Sequence, residues 1–391
     1  MRTPTAFRMR GAGSCFRVFF LLTVIFLSAV FVFPVFGLIS GAAATAETQD
    51  AWSVCEGNAN DWVYREGTGY PEPGGSVLLP AAPYEVFRYT GKVRTGCNLF
   101  TALDGNYDVI CFSGGESRDG DGERFICPCG TEYLLVTPGQ AMGEGAAVWK
   151  RNTSLSMSVM GDSISTYINY IPPENEEYYD GNTAGVFSAA DMWWALVSEE
   201  AGYRISTVEA WSGTRVTTLA GEDEAMCMDR TEKLSGTSEP DIILIFAGMN
   251  DFLQGSPLGK WNGRTGKTGI PDSGETFREA YALMLYQIRR NYPMARIYCC
   301  TLTPCERDLK IGNLERLHGQ YMHEFNSAIR EIALMFDCRI IDLNACGINS
   351  YNMYIYMGDY TAADGAGLHP NAAGQRLIAD MVLRVLRQWE N

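Results

Sequence analysis

The stretch LSMSVMGDS, residues 155–163, decides the fold class of this chain. Apolar side chains alternate with serines at Leu155, Met157 and Val159, which is typical of a β-strand. Gly161 then opens a turn that ends with Ser163. A serine placed directly after a strand of an open α/β sheet lies at the carboxyl edge, where such sheets carry their functional groups. Taken alone, Gly-Asp-Ser is also an ordinary turn sequence, so the interpretation depends on the rest of the chain.

Strands and helices alternate from this stretch to the end of the chain. Apolar runs predict five strands, at residues 155–160, 205–210, 242–247, 297–302 and 339–343. Between and after them, apolar residues recur with a helical period in residues 277–288, 325–336 and 377–386. This alternation predicts an α/β fold with a five-stranded parallel sheet and helices on both faces.

The chain before this region has a different composition. Residues 47–150 carry short β-type runs that are separated by turn clusters rich in glycine, proline and aspartate. Short strands at this spacing, with no helical period, predict a small β-sandwich-like accessory domain. We therefore divide the chain into residues 1–46, 47–150 and 151–391.

The first 46 residues have the pattern of a secretory signal peptide. Four arginines within the first 17 residues precede an apolar run at residues 18–39, and Ala44-Thr45-Ala46 offers a small-residue cleavage site. The apolar run is also long enough to act as an uncleaved signal anchor. Either way we expect a secreted or extracytoplasmic protein, which touches a membrane only if this segment is retained.

The net charge argues against nucleic acid as a partner, and the cysteine spacing argues against a bound metal. The formal net charge of −15 would repel a polyanion, so nucleic acid is not an expected partner. Eleven cysteines follow the signal segment, and in an oxidising compartment several are expected to pair. None has the spacing of a zinc site, so no metal is predicted.

A nucleophilic serine needs a base to remove its proton and donors to hold the oxyanion that forms. The chain has three histidines, and His369 lies in a glycine-rich loop immediately before the last helical segment. A loop on a rigid scaffold is a common way to deliver a side chain to a site. Ser163 and His369 are therefore the candidate nucleophile and base, although a lone His-Pro in such a loop is equally compatible with a structural role.

Four segments resemble, in order, the signature blocks of the SGNH hydrolases, which are GDSL-type esterases and lipases. They are Gly161-Asp162-Ser163, Ser212-Gly213-Thr214, Gly248-Met249-Asn250-Asp251 and His369-Pro370. The resemblance covers residues 154–390 and implies a flavodoxin-like α/β/α sandwich. Because no block precedes residue 161, we expect a chain that begins near Ser154 to keep activity on small esters.

The resemblance implies a role for each block. Ser163 would be the nucleophile and His369 the base, while the N–H groups of Ser163 and Gly213 and the amide of Asn250 would form the oxyanion hole. The family usually has an aspartate three residues before the histidine, but Ala366 occupies that position here. Asp364 is the nearest acid and is the predicted partner of the imidazole; the alternatives are Asp359 or a backbone carbonyl. No metal or organic cofactor is implied.

The expected function is hydrolysis of a carboxylic ester, such as an acetyl ester, on a small molecule or polysaccharide. Aromatic residues that follow the first and second blocks would suit sugar rings, as would an extracytoplasmic location. A lipase or lysophospholipase is the alternative within the same reaction class. A glycan-binding protein with an inactive hydrolase domain is the alternative from another class, and the displaced aspartate is the feature that favours it.

Overall fold

The computed structural model describes residues 53–54, 62–64, 77–90, 98–113, 123–136, 147–151, 153, 155–218, 225–263, 269–271, 273–305, 317–360 and 367–389. The signal segment, residues 1–46, lies outside these ranges, so its assignment stays a prediction. Within these ranges no helix is long and apolar enough to cross a membrane.

The amino-terminal part of the described chain consists of two antiparallel sheets. Its strands are β1 Ser53–Val54, β2 Trp62–Tyr64, β3 Val77–Pro80, β4 Val86–Thr90, β5 Phe100–Leu103, β6 Val109–Phe112, β7 Glu123–Ile126, β8 Tyr133–Val136 and β9 Ala147–Arg151. One sheet has the order β1-β2-β9-β4-β7 and the other β3-β8-β5-β6. Phe87 and Phe125 of the first sheet share a buried cluster with Phe100 and Leu134 of the second. A shared core between two sheets is the arrangement of a β-sandwich, and the predicted small β-rich fold is confirmed.

A five-stranded parallel sheet follows. Its strands are β10 Leu155–Gly161, β11 Tyr203–Ala210, β12 Ile242–Phe246, β13 Arg296–Cys300 and β14 Arg339–Ile341, in the order β11-β10-β12-β13-β14. All four neighbouring pairs are parallel. When the strands are numbered by their order in the chain, the sheet order is 2-1-3-4-5, which is the flavodoxin-like order. In such sheets the functional crevice lies beside the first strand, where the strand order reverses. The predicted fold class is confirmed, and that first strand carries Ser163 at its carboxyl end.

Helices cover both faces of this sheet. They are α1 Trp193–Ala201, α2 Met249–Gln254, α3 Phe277–Asn291, α4 Met322–Met335, α5 Met353–Tyr356 and α6 Ala372–Trp389. Because successive strand residues face opposite sides, Ile243 and Ile245 of β12 join the core under α3 and α4, whereas Leu244 and Phe246 join the core under α1 and α6. Both cores consist of closely packed apolar side chains, so the sheet is a rigid base for the loops at its carboxyl edge.

The β-rich region is tied to the loop that follows Ser163. The hydroxyl of Tyr84 donates to the carbonyl of Tyr170 (3.0 Å) and accepts from the N–H of Val208 in β11 (3.2 Å). In return the hydroxyl of Tyr170 donates to the carbonyl of Ile126 (2.6 Å), at the end of β7. The N–H of Cys129 donates to Asn169 (2.8 Å). The ring of Tyr84 is buried in the core under α1 and α6, so the two regions share packing as well as hydrogen bonds.

These contacts change the expected result of removing the β-rich region. A chain that begins at Ser154 would lack Tyr84, so the carbonyl of Tyr170 would lose a donor and the N–H of Val208 would lose its acceptor. We therefore expect this chain to have a lower melting temperature and little activity on a small aryl ester. Thermal unfolding and aryl ester hydrolysis check the prediction. Full activity in the shortened chain would mean that the two regions are independent domains.

Eight of the described cysteines form no disulfide bond with one another. Cys111, Cys127, Cys129, Cys227, Cys299, Cys300, Cys338 and Cys346 carry free thiols. Six of them are buried and two half-buried, and burial raises the pKa of most of these thiols, as at Cys127 and Cys300. The pairing expected for an oxidising compartment is therefore not present at these positions.

Candidate active site

Ser163 lies in a tight turn immediately after β10. It begins a single turn of 3₁₀-helix, Ser163–Ser165, which Asp162 caps by accepting from the N–H of Ile164 (3.1 Å). Gly161 is required before this turn, since a Cβ there would lie 2.6 Å from the Ser165 hydroxyl and 3.2 Å from the Phe246 carbonyl. The close approach of β12 and the turn thus fixes the backbone on which the serine hydroxyl is presented.

His369 contacts the Ser163 hydroxyl with one ring nitrogen and a carboxylate with the other. Its Nε2 lies 2.9 Å from Ser163 Oγ, and its Nδ1 lies 2.9 Å from Asp359 Oδ2. The other Asp359 oxygen accepts from the N–H groups of Leu368 (2.9 Å) and His369 (3.0 Å). One carboxylate therefore holds both the ring and the backbone of the histidine.

Two acids near the imidazole, Asp359 and Asp162, have pKa values that are shifted in opposite directions. Burial would raise the pKa of Asp359, but the hydrogen bonds and charge of His369, with the N–H of Leu368, outweigh it and hold that pKa below its usual range. At neutral pH Asp359 is therefore ionised and ready to accept. Burial raises the pKa of Asp162 to about 6, although the N–H of Ile164 and the charge of His369 act against it. Its Oδ2 has no hydrogen-bond partner among the described residues.

The remaining blocks lie at the carboxyl ends of the two strands beside β10. Gly213 follows β11 with φ of +80°, a conformation that favours glycine, and a Cβ at this position would meet no atom within 4 Å. Asn250 lies in the first turn of α2, directly after β12, and is largely buried. Its side-chain amide donates to the carbonyl of Thr214 (3.0 Å), so the second and third blocks are joined to each other.

A buried arginine links the ends of β10 and β11 to the second block. Arg230 donates to the backbone carbonyls of Gly161 (3.1 Å) and Glu209 (3.0 Å), and to the hydroxyl of Thr214 (2.9 Å). Its Nε also pairs with the Glu209 carboxylate at 3.0 Å, with both side chains no more than 3% exposed. A buried, multiply bonded guanidinium of this kind fixes the relative position of the segments that it contacts.

The structure brings together most of the residues that the sequence analysis selected. Ser163 and His369 are in contact, and Asn250 is joined through Thr214 to the block of Gly213. Asp364, the predicted partner of the imidazole, lies outside the described residues. Nδ1 of His369 instead contacts Asp359, which the sequence analysis gave as an alternative. Asp359 is ten residues before the histidine, and no spacing rule selects it.

The sequence analysis missed the role of two further residues in this arrangement. The ring of Tyr178 stacks on His369, and the guanidinium of Arg230 supports the strand ends. Tyr178 is one of the aromatic residues after the first block, which the sequence analysis connected only with sugar rings. Among the described residues, no group of three or more His, Cys, Asp or Glu side chains could hold a metal ion.

A serine hydroxyl, an imidazole and a carboxylate in hydrogen-bond contact, in this order, are the arrangement of the serine hydrolases. Comparison with known proteins agrees with this class. A family model described as GDSL-like Lipase/Acylhydrolase matches residues 155–316. Residues 155–316 thus match the GDSL-like, or SGNH, hydrolase family, and the resemblance noted in the sequence is confirmed.

Several solved structures are similar to part of the chain. A GDSL-like lipase candidate from Bacteroides ovatus is 26% identical, covers 61% of this chain and 100% of its own, and has a TM-score of 0.44. One from Bacteroides uniformis is 24% identical, covers 60% and 96%, and also has a TM-score of 0.44. A family two carbohydrate esterase from Cellvibrio japonicus is 14% identical, covers 84% and 90%, and has a TM-score of 0.40. Among curated proteins, none matches this sequence.

Proposed function

We propose that this chain is a serine esterase that hydrolyses carboxylic esters with Ser163 as nucleophile, His369 as general base and Asp359 as the group that orients the imidazole. The observation that carries the proposal is the continuous contact from Ser163 Oγ through both ring nitrogens of His369 to Asp359, 2.9 Å at each step. Both distances are within hydrogen-bond range, the first requirement for a general base.

The reaction would proceed in two halves. Ser163 Oγ attacks the ester carbonyl carbon while its proton moves to Nε2 of His369, and the carbonyl oxygen becomes an oxyanion. The imidazolium then gives that proton to the leaving alcohol as the carbon–oxygen bond breaks, which leaves an acyl group on Ser163. A water molecule then attacks the acyl carbon as it gives a proton to Nε2 of His369. The bond to Ser163 Oγ breaks, the imidazolium returns that proton to Oγ, and the carboxylic acid is released.

The oxyanion would be held by the N–H groups of Ser163 and Gly213 and by the amide of Asn250. Gly213 presents its backbone beside open space, since a side chain there would meet nothing within 4 Å. The contact between Asn250 and the Thr214 carbonyl orients one amide hydrogen and leaves the other for substrate. Preorganised donors of this kind act on the charge that grows in the transition state.

Asn250→Ala is therefore expected to lower kcat by about 10²- to 10³-fold with a smaller change in KM. Steady-state kinetics on one aryl ester measures both constants. Asn291→Ala is a matched control, because Asn291 lies at the end of α3 and its amide contacts the Thr231 carbonyl. A change confined to KM would assign Asn250 to ground-state binding instead.

The proposed substrate is an acyl ester on a carbohydrate. Exposed aromatic side chains lie close in the chain to elements that contact the His369 loop. Phe187, 71% exposed, follows Gly185, which lies against Asn371; Tyr354, 66% exposed, belongs to α5, whose Tyr356 carbonyl accepts from Asn371. Such rings can stack on the apolar faces of sugars, and the proposed extracytoplasmic location would expose the protein to polysaccharide.

A panel of esters tests the proposal. Acetylated oligosaccharides, short-chain aryl esters and a lysophospholipid are each incubated with the protein and with Ser163→Ala, and the free acid released is measured. We expect release from acetylated sugars and aryl esters by the unaltered chain alone. Preference for the lysophospholipid would replace the carbohydrate part of the proposal, and glycan binding without release of any acid would replace the enzymatic part.

A further inference from the structure

Tyr178 lies face to face with the imidazole of His369. The two ring centroids are 3.5 Å apart and the planes differ by 11°. Asp359 and Ser163 occupy the two nitrogen edges of the same imidazole. Tyr179 approaches from the side, with a centroid separation of 6.4 Å and an interplanar angle of 83°. Tyr178 is therefore the aromatic group that covers a face of the imidazole.

Tyr178 is held in place by hydrogen bonds to the turn that carries Ser163, as well as by its contact with His369. Its N–H donates to the hydroxyl of Thr166 (2.8 Å), and that hydroxyl donates to the carbonyl of Ser163 (2.9 Å). The next residue, Tyr179, donates its hydroxyl to the carbonyl of Pro370 (2.8 Å), beside His369. The tyrosine pair thus spans the turn that holds the serine and the loop that holds the base.

The stacking geometry favours one protonation state of the imidazole. Two neutral aromatic rings prefer offset or edge-to-face contact at centroid distances of about 4.5–7 Å, because their negative faces repel in a direct sandwich. A cation over the same face is attracted by it. The contact between Tyr178 and His369 is thus weak while the imidazole is neutral and becomes favourable when it carries a proton.

We propose that Tyr178 is a positioning residue that accelerates ester hydrolysis by stabilising the imidazolium of His369 through its ring face. This inference rests on the proposed function, since the imidazolium forms only if His369 takes the proton of Ser163. An interaction that strengthens between the ground state and the transition state raises kcat. The phenol hydroxyl is not needed for this role. It stays neutral, because burial, together with the charge of Asp359, raises the pKa of Tyr178 to about 12.

Two substitutions at one position test the proposal. Tyr178→Leu removes the aromatic face and keeps an apolar side chain, whereas Tyr178→Phe keeps the face and removes the hydroxyl. We expect kcat on an aryl ester to fall about two- to thirtyfold in the leucine variant, with KM unchanged, and to stay near the original value in the phenylalanine variant. Tyr286→Leu, on the surface of α3, is the control for losing a tyrosine elsewhere.

A spectroscopic measurement keeps the test independent of turnover. The chain has only three histidines, so the ring protons of His369 can be assigned by NMR by comparison with His369→Gln. A ring stacked at 3.5 Å displaces those protons upfield. The displacement should persist in Tyr178→Phe and be lost in Tyr178→Leu or, if that variant does not fold, in Tyr178→Met.

The inference would be overturned by any of three results. These are a leucine variant with unaltered kcat, a phenylalanine variant as slow as the leucine variant, or a loss confined to KM, which would make Tyr178 a substrate contact. Failure of the proposed function gives a different pattern, in which the unaltered chain hydrolyses no ester and a fluorophosphonate probe does not label Ser163. The rate of that labelling, compared between the leucine and phenylalanine variants, measures the same proton transfer without an ester substrate.

Discussion

Ser163→Ala is expected to lower kcat on an aryl ester by about 10⁶-fold, the scale of loss when the nucleophile of a comparable serine enzyme is removed. The fold should be retained, because the side-chain contact of Ser163 is with the His369 ring, and alanine keeps the backbone of the turn. Kinetics and thermal unfolding measured on the same preparation check both parts.

Ser235→Ala is the matched control for this substitution. Ser235 is exposed and precedes the amino end of β12, whereas the site is at the carboxyl end. We expect its activity and its labelling by a fluorophosphonate probe to equal those of the unaltered chain. A folded Ser163→Ala variant that keeps most of its activity would show that another residue is the nucleophile.

Asp359→Asn is expected to lower kcat by about 10⁴-fold. The asparagine can keep its oxygen towards the N–H groups of Leu368 and His369, where Asp359 Oδ1 now accepts. Its amide would then donate to Nδ1 of His369. That forces the proton onto Nε2, the nitrogen that must accept from Ser163. The variant should therefore fold and still fail in proton transfer.

Asp364→Asn is the control that separates the two candidate acids. With Asp359 on the imidazole nitrogen, we expect Asp364→Asn to keep kcat within about tenfold of the original, and His369→Ala to lose at least as much as Asp359→Asn. The opposite ranking of the two aspartates would return the orienting role to Asp364, as the sequence alone suggested.

The sheet and the positions at its edge were predictable because they depend on local patterns. Apolar side chains recur along β10 to β14, either in continuous runs as in β12 or alternating with polar residues as in β10. A residue such as Ser163 or Asn250, which follows a strand directly, is therefore placed by the parallel sheet itself. The neighbouring strands then bring these positions together, although they are far apart in the sequence.

The partner of the imidazole was not predictable in the same way. Asp359 reaches His369 because the chain doubles back: Met357 pairs with Pro370 in an antiparallel bridge, and the N–H of Gly358 donates to the carbonyl of His369 (2.8 Å). No periodicity marks such a loop. Tyr178 and Arg230 were missed for the same reason. Tyr178 lies in an irregular segment and Arg230 in a short 3₁₀-helix, Asp229–Glu232, and tertiary contacts set the position of both.

Separability of the β-rich region was predicted from the absence of signature blocks before residue 161. Signature blocks identify the residues that perform the chemistry, but they do not show which segments of the chain pack against one another. Tyr84 resembles any other tyrosine of a short β-type run, yet its ring is 4% exposed and its hydroxyl bridges Tyr170 and Val208. Such a contact across 124 positions of the sequence is visible only in the folded chain.

Trapping the acyl-enzyme tests the central claim most directly. The protein is mixed with an aryl acetate, quenched with acid during turnover and digested, and the peptides are analysed by mass spectrometry. The account predicts an acetyl group on the hydroxyl of Ser163, absent in Ser163→Ala and formed far more slowly in His369→Ala. Sustained release of acetate with no acetyl group on Ser163 would contradict it.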